Sequence, residues 1–163
     1  MATYNAIKYN VDYGGFAGNL IPISTFTSDG SDANATFNSS LITSAFEEYL
    51  FILNSVHPQT DGANLLFHPS IDNGSNYNIA KTSTMFVTEH NEDGSATNVY
   101  YSAGGDLAQG TGGQKLNSDG IGADNDQSIS GYLRLYNPSS TTFQKHFIAV
   151  SYTHLRAHET DRH

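Results

Sequence analysis

Along the chain, apolar residues come in short runs rich in β-branched and aromatic side chains, separated by clusters of Asn, Asp, Gly and Ser. That is the punctuation of a strand-and-turn protein rather than a helical one. "NLIPISTF", 19–26, opens the series, and its Pro22 lacks the donor a ladder needs, which favours an edge or a bulge. A polar loop, "TSDGSDANATFNSS", follows. In "LITSAFEEYLFILNSV" the front half predicts a turn of helix at 43–48, feeding a strand at 49–56 that reads as a continuous apolar run.

Turn chemistry then sets the rhythm. Pro58 and the Asp61-Gly62 pair reverse the chain into "NLLFHPSI", because Gly accepts the positive φ that ends a tight turn. "DNGSN", 72–76, turns it into a long strand at 77–90, and "NEDGSAT" sends it back through "NVYYSA" as a hairpin. The Gly-rich segment 103–127 predicts a long loop with one short strand around Gln114–Leu116. "SISGYLRLYN", 128–137, and "TTFQKHFIA", 141–149, close the series. In the former, Gly131, Leu133 and Leu135 face one way and Tyr132, Arg134 and Tyr136 the other, as in a strand with one face in a core. The expected architecture is all-β: one antiparallel β-sandwich, jelly-roll-like, over residues 1–149, with 1–15 as an N-terminal arm.

Charge removes several functions from consideration. Seven Lys and Arg stand against 16 Asp and Glu, a net charge of −9. Such a surface repels phosphate backbones and anionic membranes, so neither nucleic acid nor membrane insertion is expected. The absence of cysteine removes disulfides, thiolate metal sites and a thiol nucleophile. The opening "MATYNAIKYNVDYGG" has no charged segment leading into an apolar one, so no signal peptide is expected, and no apolar run reaches the ~18 residues of a membrane span.

Candidate chemistry is sparse. "NSDGIGADND", 117–126, offers Asp119, Asp124 and Asp126 as oxygen donors, but Ile121 and Ser128 fall where a calcium loop of the EF-hand type needs ligands. A solvated Gly/Asp loop is the expected state, with no metal and no cofactor. His57, His68, His90 and His146 stand singly, as packing residues do. Glu47 and Glu48 are adjacent and would diverge by about 100° on a helical turn, unlike the facing pair of a glycosidase. "GTGGQK" lacks the Lys-Ser/Thr of a phosphate loop, and no Gly-x-Ser-x-Gly elbow is present. No enzymatic activity is expected. The tyrosines are more suggestive, since their rings beside Asn and Asp side chains can stack on sugars and hydrogen-bond to them. The candidate ligand-binding residues are Asp61, Asn64, Asp72, Asn73, Tyr77, Tyr100 and Tyr132, with the loops 57–64, 72–77 and 103–127 as the expected binding surface.

"FNSSLITSAFEEYLF", "HPQTDGANLLFHPSIDNGSNYN", "GGDLAQGTG" and "SGYLRLYNPSSTTFQKHF" resemble, from about Phe37 to Phe147, an uncharacterised group of marine tailed-phage virion or tail-fibre-type proteins. The resemblance implies a non-enzymatic structural protein of the virion, assembled in the host cytoplasm, a tail-fibre or host-recognition component. Other virion proteins, a host surface glycan and a homotrimeric assembly are the partners it implies. A carbohydrate-binding module of lectin type is the alternative.

Composition shifts abruptly at the end. Residues 150–163 hold three histidines and two arginines, against four and one in the 149 before them. "VSYTHLRAHET" resembles one reading frame of a transposase-end sequencing adapter, which implies a non-native tail at 150–163 on a C-terminally truncated chain. The strand at 141–149 is then expected to present an open edge and the residues beyond about 150 to pack poorly.

Overall fold

The computed structural model describes residues 20–91 and 93–154. The expected N-terminal arm and the tail from 155 onwards lie outside them. Among the described residues there is no helix, and the fold is all-β, built from small, separate antiparallel sheets. The strands are β1 (Glu48–Val56), β2 (Leu66–Phe67), β3 (Lys81–Ser83), β4 (Phe86–His90), β5 (Thr97–Tyr101), β6 (Leu107–Gly110), β7 (Gln114–Lys115), β8 (Ser128–Tyr136) and β9 (His146–His154). The largest sheet has the order β1-β8-β9, and the pairs β2-β7, β3-β6 and β4-β5 form three two-stranded sheets.

β8 organises the centre because both its edges are paired, with β1 along one side and β9 along the other. Register puts Tyr49, Phe51 and Leu53 of β1 beside Leu135, Leu133 and Gly131, so these residues share one face of the sheet. On that inner face Ile129 has no exposed surface and Leu133 almost none. The alternation read from 128–137 is the one observed. β1 carries a bulge between Leu53 and Val56, where Ser55 takes a φ of 49° and donates its N–H to the Ser130 hydroxyl at 3.0 Å.

Phe67 of β2 meets Phe147 of β9 with ring centroids 5.5 Å apart, and the Ser151 hydroxyl donates to the Leu116 carbonyl. β2 and the segment after β7 therefore lie against the inner face of the large sheet. The buried apolar residues among those described are Tyr49, Leu116, Ile121, Ile129 and Leu133, two of them from the Gly-rich segment. That segment was expected to form a loop outside the core. It enters the core because Gln114, itself buried, accepts a hydrogen bond from Ser83 Oγ at 2.5 Å and donates to the carbonyls of Gly105 and Lys115, satisfying polar groups that burial would otherwise leave costly.

Several boundaries differ from expectation. Leu20–Phe26 makes no strand, and Leu20, Ile21, Ile23 and Phe26 are exposed; no sheet edge receives them, and Pro22 lacks a donor with which to join one. The helical turn expected at 43–48 is replaced by a turn at 38–42, where Asn38 O accepts from the N–H groups of Leu41 and Ile42 at 3.0 and 2.9 Å. The Tyr49 hydroxyl explains the difference. It accepts from Thr43 N–H at 2.7 Å and donates to Thr43 O at 2.8 Å, occupying the carbonyl that a helical turn at 43–48 would have bonded to a later N–H. The long strand expected at 77–90 is split into β3 and β4, and β6 forms where only loop was expected. The last strand is displaced to His146–His154, and its backbone pairs with β8 along the whole length. Past 150 the backbones of 150–154 complete the ladder with β8, while the Val150 and Tyr152 side chains are exposed, as expected of residues that pack poorly. β9 lies at the sheet's edge.

Candidate functional site

The best-built surface lies where the chain after β1 is laced to the chain after β7. Ala63 and Ile121 exchange backbone hydrogen bonds of 3.2 and 2.7 Å, and Leu116 N–H donates to Leu65 O at 2.9 Å. Side chains extend the lacing: Asn117 Oδ1 accepts from Leu65 N–H at 2.8 Å, and Asn117 Nδ2 donates to Asn64 Oδ1 at 3.1 Å. Asp61 Oδ1 accepts from Ala123 N–H at 3.2 Å, and His57 Nε2 lies 2.7 Å from the Asp124 carbonyl oxygen. Gly120 permits the close approach, because a Cβ there would stand 2.3 Å from the Gly62 carbonyl oxygen.

An open groove of about 340 Å³ lies along this seam. Ser28, Gly30 and Asp32 line it from the first polar loop, and His57, Gln59 and Ala123 line it from the laced segments. The 28–32 loop is held by its own side chains. Asp29 Oδ1 accepts from the N–H and hydroxyl of Ser31 at 2.9 and 2.7 Å, and Asp32 Oδ2 accepts from Asp29 N–H at 3.2 Å. The bonds from Ser31 hold the Asp29 carboxyl below the usual carboxylate range. The groove thus presents a carboxylate, an imidazole, an amide and a hydroxyl, a donor and acceptor set suited to a polar, hydroxylated ligand.

The structure divides the residues singled out from sequence among four places. Asp61 and Asn64 take part in the lacing beside the groove, with carboxylate and amide oxygens engaged as acceptors. Asp72, Asn73 and Tyr77 belong to a separate turn. There Asp72 Oδ2 accepts from Asn76 Nδ2 at 2.7 Å, while Oδ1 accepts from the Ser70 hydroxyl at 2.7 Å and Asn76 N–H at 2.8 Å. Those bonds, the Asn76 side chain's first, lower the Asp72 pKa to about 2. Asn73 sits at φ 57°, and Tyr77 stands edge-on to His68 with centroids 6.3 Å apart. Tyr100 lies on the inner face of the β4-β5 hairpin. Partial burial pushes its hydroxyl pKa up, and the charges of Glu89 and Asp119 push the same way, which places it near the laced loop. Tyr132 is on the outer face of β8, with the Arg134 guanidinium 5.8 Å from its ring centroid.

Among the described residues, no group of three or more His, Asp or Glu side chains is placed to hold a metal ion, Asp119, Asp124 and Asp126 included. Sequence reasoning placed His57 and Gln59 inside the expected binding loop 57–64, with His57 read singly as a packing residue, and missed Ser28 and Asp32. "TSDGSD" reads in sequence as part of a polar loop, with nothing to say that it would line a groove with residue 57. No protein-family model matches the chain, and neither a curated protein nor a solved structure is found similar to it.

Proposed function

We propose that this chain is a non-enzymatic structural protein of a phage virion, a tail-fibre or host-recognition component, whose recognition surface is the groove between the 28–32 loop and the laced segments 57–65 and 116–124. The observation that supports it best is the way this surface is built. Three polar loops are fixed by hydrogen bonds from their own side chains and backbone, so a ligand would meet a preorganised surface and lose little affinity to ordering it. The resemblance over 37–147 supports the virion assignment. In the same reading the large sheet and the β2-β7 sheet against its inner face belong to the two layers of a jelly-roll-like sandwich, a scaffold on which loops can vary while the core stays.

The test is binding of the purified chain to a panel of bacterial surface glycans, alongside mass spectrometry of particles from the source virus. The expected result is saturable binding to one class of glycan, weakened at least about tenfold by Asp32→Ala or His57→Ala, and the chain's peptides in purified particles. Absence from particles would sink the virion assignment. Binding that both substitutions leave unchanged would move recognition away from the groove. Glycan binding by a chain absent from particles is the outcome that favours a free-standing carbohydrate-binding module.

A further inference from the structure

Among the described residues, two sheet faces carry exposed apolar side chains pointing outward. The first is the outer face of the β4-β5 hairpin. Cross-strand register puts Phe86 beside Tyr101 and Thr88 beside Val99, so these side chains share one face. Phe86 is 72% exposed, Val99 77% and Tyr101 46%, with Phe86 and Tyr101 packed edge to face at 5.6 Å. The inner face carries Val87, Glu89 and Tyr100. The usual alternation is inverted, the bulkier apolar groups pointing out. A lone two-stranded hairpin is at best marginally stable in water, so an exposed apolar face on one is a surface that gains from being covered.

The second is the outer face of the β1-β8-β9 sheet. Ile52, Tyr132 and Val150 lie side by side across the three strands, with Arg134 and Ile148 the next pair along on β8 and β9. Ile52 is 71% exposed, Ile148 55% and Tyr132 37%, and Tyr152 extends the face along β9.

We propose that the two surfaces are halves of one contact, with the hairpin of one copy lying across the outer sheet face of a second copy. Both are pleated sheet faces, which pack on each other at about 10 Å through interdigitating side chains. Area argues for a second copy as the occupant. Phe86, Val99 and Tyr101 together with Ile52, Tyr132 and Ile148 expose roughly 600 Å² per copy, and a polar rim brings this near the ~800 Å² per partner of a stable interface, whereas either face alone falls well short. A copy that gives its hairpin to the same partner whose hairpin it receives buries both faces in one interface, so the area points to a reciprocal dimer.

Charge argues the same way. The chain's net −9 opposes self-association, but the residues set among the apolar groups of these two faces are mostly neutral or ion-paired. On the sheet the Arg134 guanidinium is paired with Glu48 at 2.6 Å, and the hairpin's outer face carries Thr88, Thr97 and His90 between its apolar groups. The Tyr101 hydroxyl donates to Asp106.

Sedimentation over a concentration series tests this on the whole chain. Self-association is expected, weakened at least about tenfold both by Phe86→Glu with Val99→Glu and, separately, by Ile52→Glu. Unchanged circular dichroism and thermal unfolding would show that the variants fold. Because the chain has no cysteine, copies bearing Val99→Cys can be mixed with copies bearing Tyr132→Cys and oxidised. Disulfide-linked heterodimers are expected to exceed either homodimer. A wild-type chain that stays monomeric at high concentration would mean that something other than a second copy covers these faces, which overturns the proposal. So would self-association that ignores both sets of substitutions, or crosslinking dominated by Val99→Cys homodimers. A dimer is expected, and a trimer or larger ring, in which each contact would bury only one face of each copy, would overturn the proposal.

Discussion

Gly131 occupies the middle of the central strand, opposite Ser151 of β9. A Cβ at this position would lie 2.1 Å from the Val150 carbonyl oxygen and 2.7 Å from Ser151 Cα. Non-bonded carbons settle at about 3.5–4.0 Å, and here both obstructing atoms are backbone, so no change of rotamer relieves the overlap. Either β9 moves away and loses ladder bonds, or β8 twists and disturbs Ile129 and Leu133. Overpacking of this kind costs about 1–3 kcal/mol, and the rigid obstruction puts Gly131→Ala at about 2–3. Against a total stability of order 5–15 kcal/mol that is a large fraction. With a urea slope of about 1–2 kcal/mol per molar, the unfolding midpoint should fall by about 1–3 M. Hydrogen exchange should show β9 amides losing protection while the β4-β5 hairpin is unaffected. The decisive control is the same substitution in a chain ending at Ala149. Val150 and Ser151 are then absent, and the cost of Gly131→Ala should fall to the part owed to its φ of 157°, which an L side chain finds strained with or without β9 beside it. Equal costs at both lengths, or a cost below about 0.5 kcal/mol in the full chain, would refute the register on which the reasoning stands.

Two further outcomes follow from the same contacts. Ile129 has no exposed surface, so Ile129→Ala should cost about 2–5 kcal/mol, measured by the same urea titration, and a loss under 1 kcal/mol would mean that the inner face is not a packed core. Asp72 has a pKa lowered to about 2 by its hydrogen bonds to Asn76 and Ser70. A depressed carboxylate favours the folded turn above its unfolded pKa and loses that effect as pH falls through the folded value, so the turn should loosen between about pH 4 and 2. Titration of the Asp72 carboxyl by NMR should give a midpoint near 2, with Asn76 amide exchange quickening over the same interval; an ordinary midpoint near 4 would remove the turn's hydrogen bonds from the account.

The amino-acid sequence determined by itself the features governed by nearest neighbours and by period-two alternation. β8 was legible because alternation over 128–137 identifies a strand with one buried face whatever its partners, and the β4-β5 hairpin because "NEDGSAT" between two β-rich runs can only turn. The turn at 72–76 was legible for a similar reason: Asp72 and Asn76 bond within the segment they belong to. Tertiary structure alone decided whatever depended on a distant partner. Leu20–Phe26 has the composition of a strand but finds no edge to pair with. Leu116 and Ile121 are buried although glycines surround them, because residues 61–65, more than fifty positions earlier, close over that segment. A helical turn at 43–48 was plausible locally and lost to one hydroxyl, that of Tyr49, reaching back six residues. The groove is the extreme case. Asp32, His57 and Ala123 are far apart in sequence, and each is an ordinary loop residue there; backbone lacing brings 57–65 to 116–123, and only the folded chain sets the 28–32 loop across the groove from them. Short-range rules fix which segments are extended and which turn, but the energy that selects partners comes from burial and hydrogen bonding between segments, and that is a property of the folded whole.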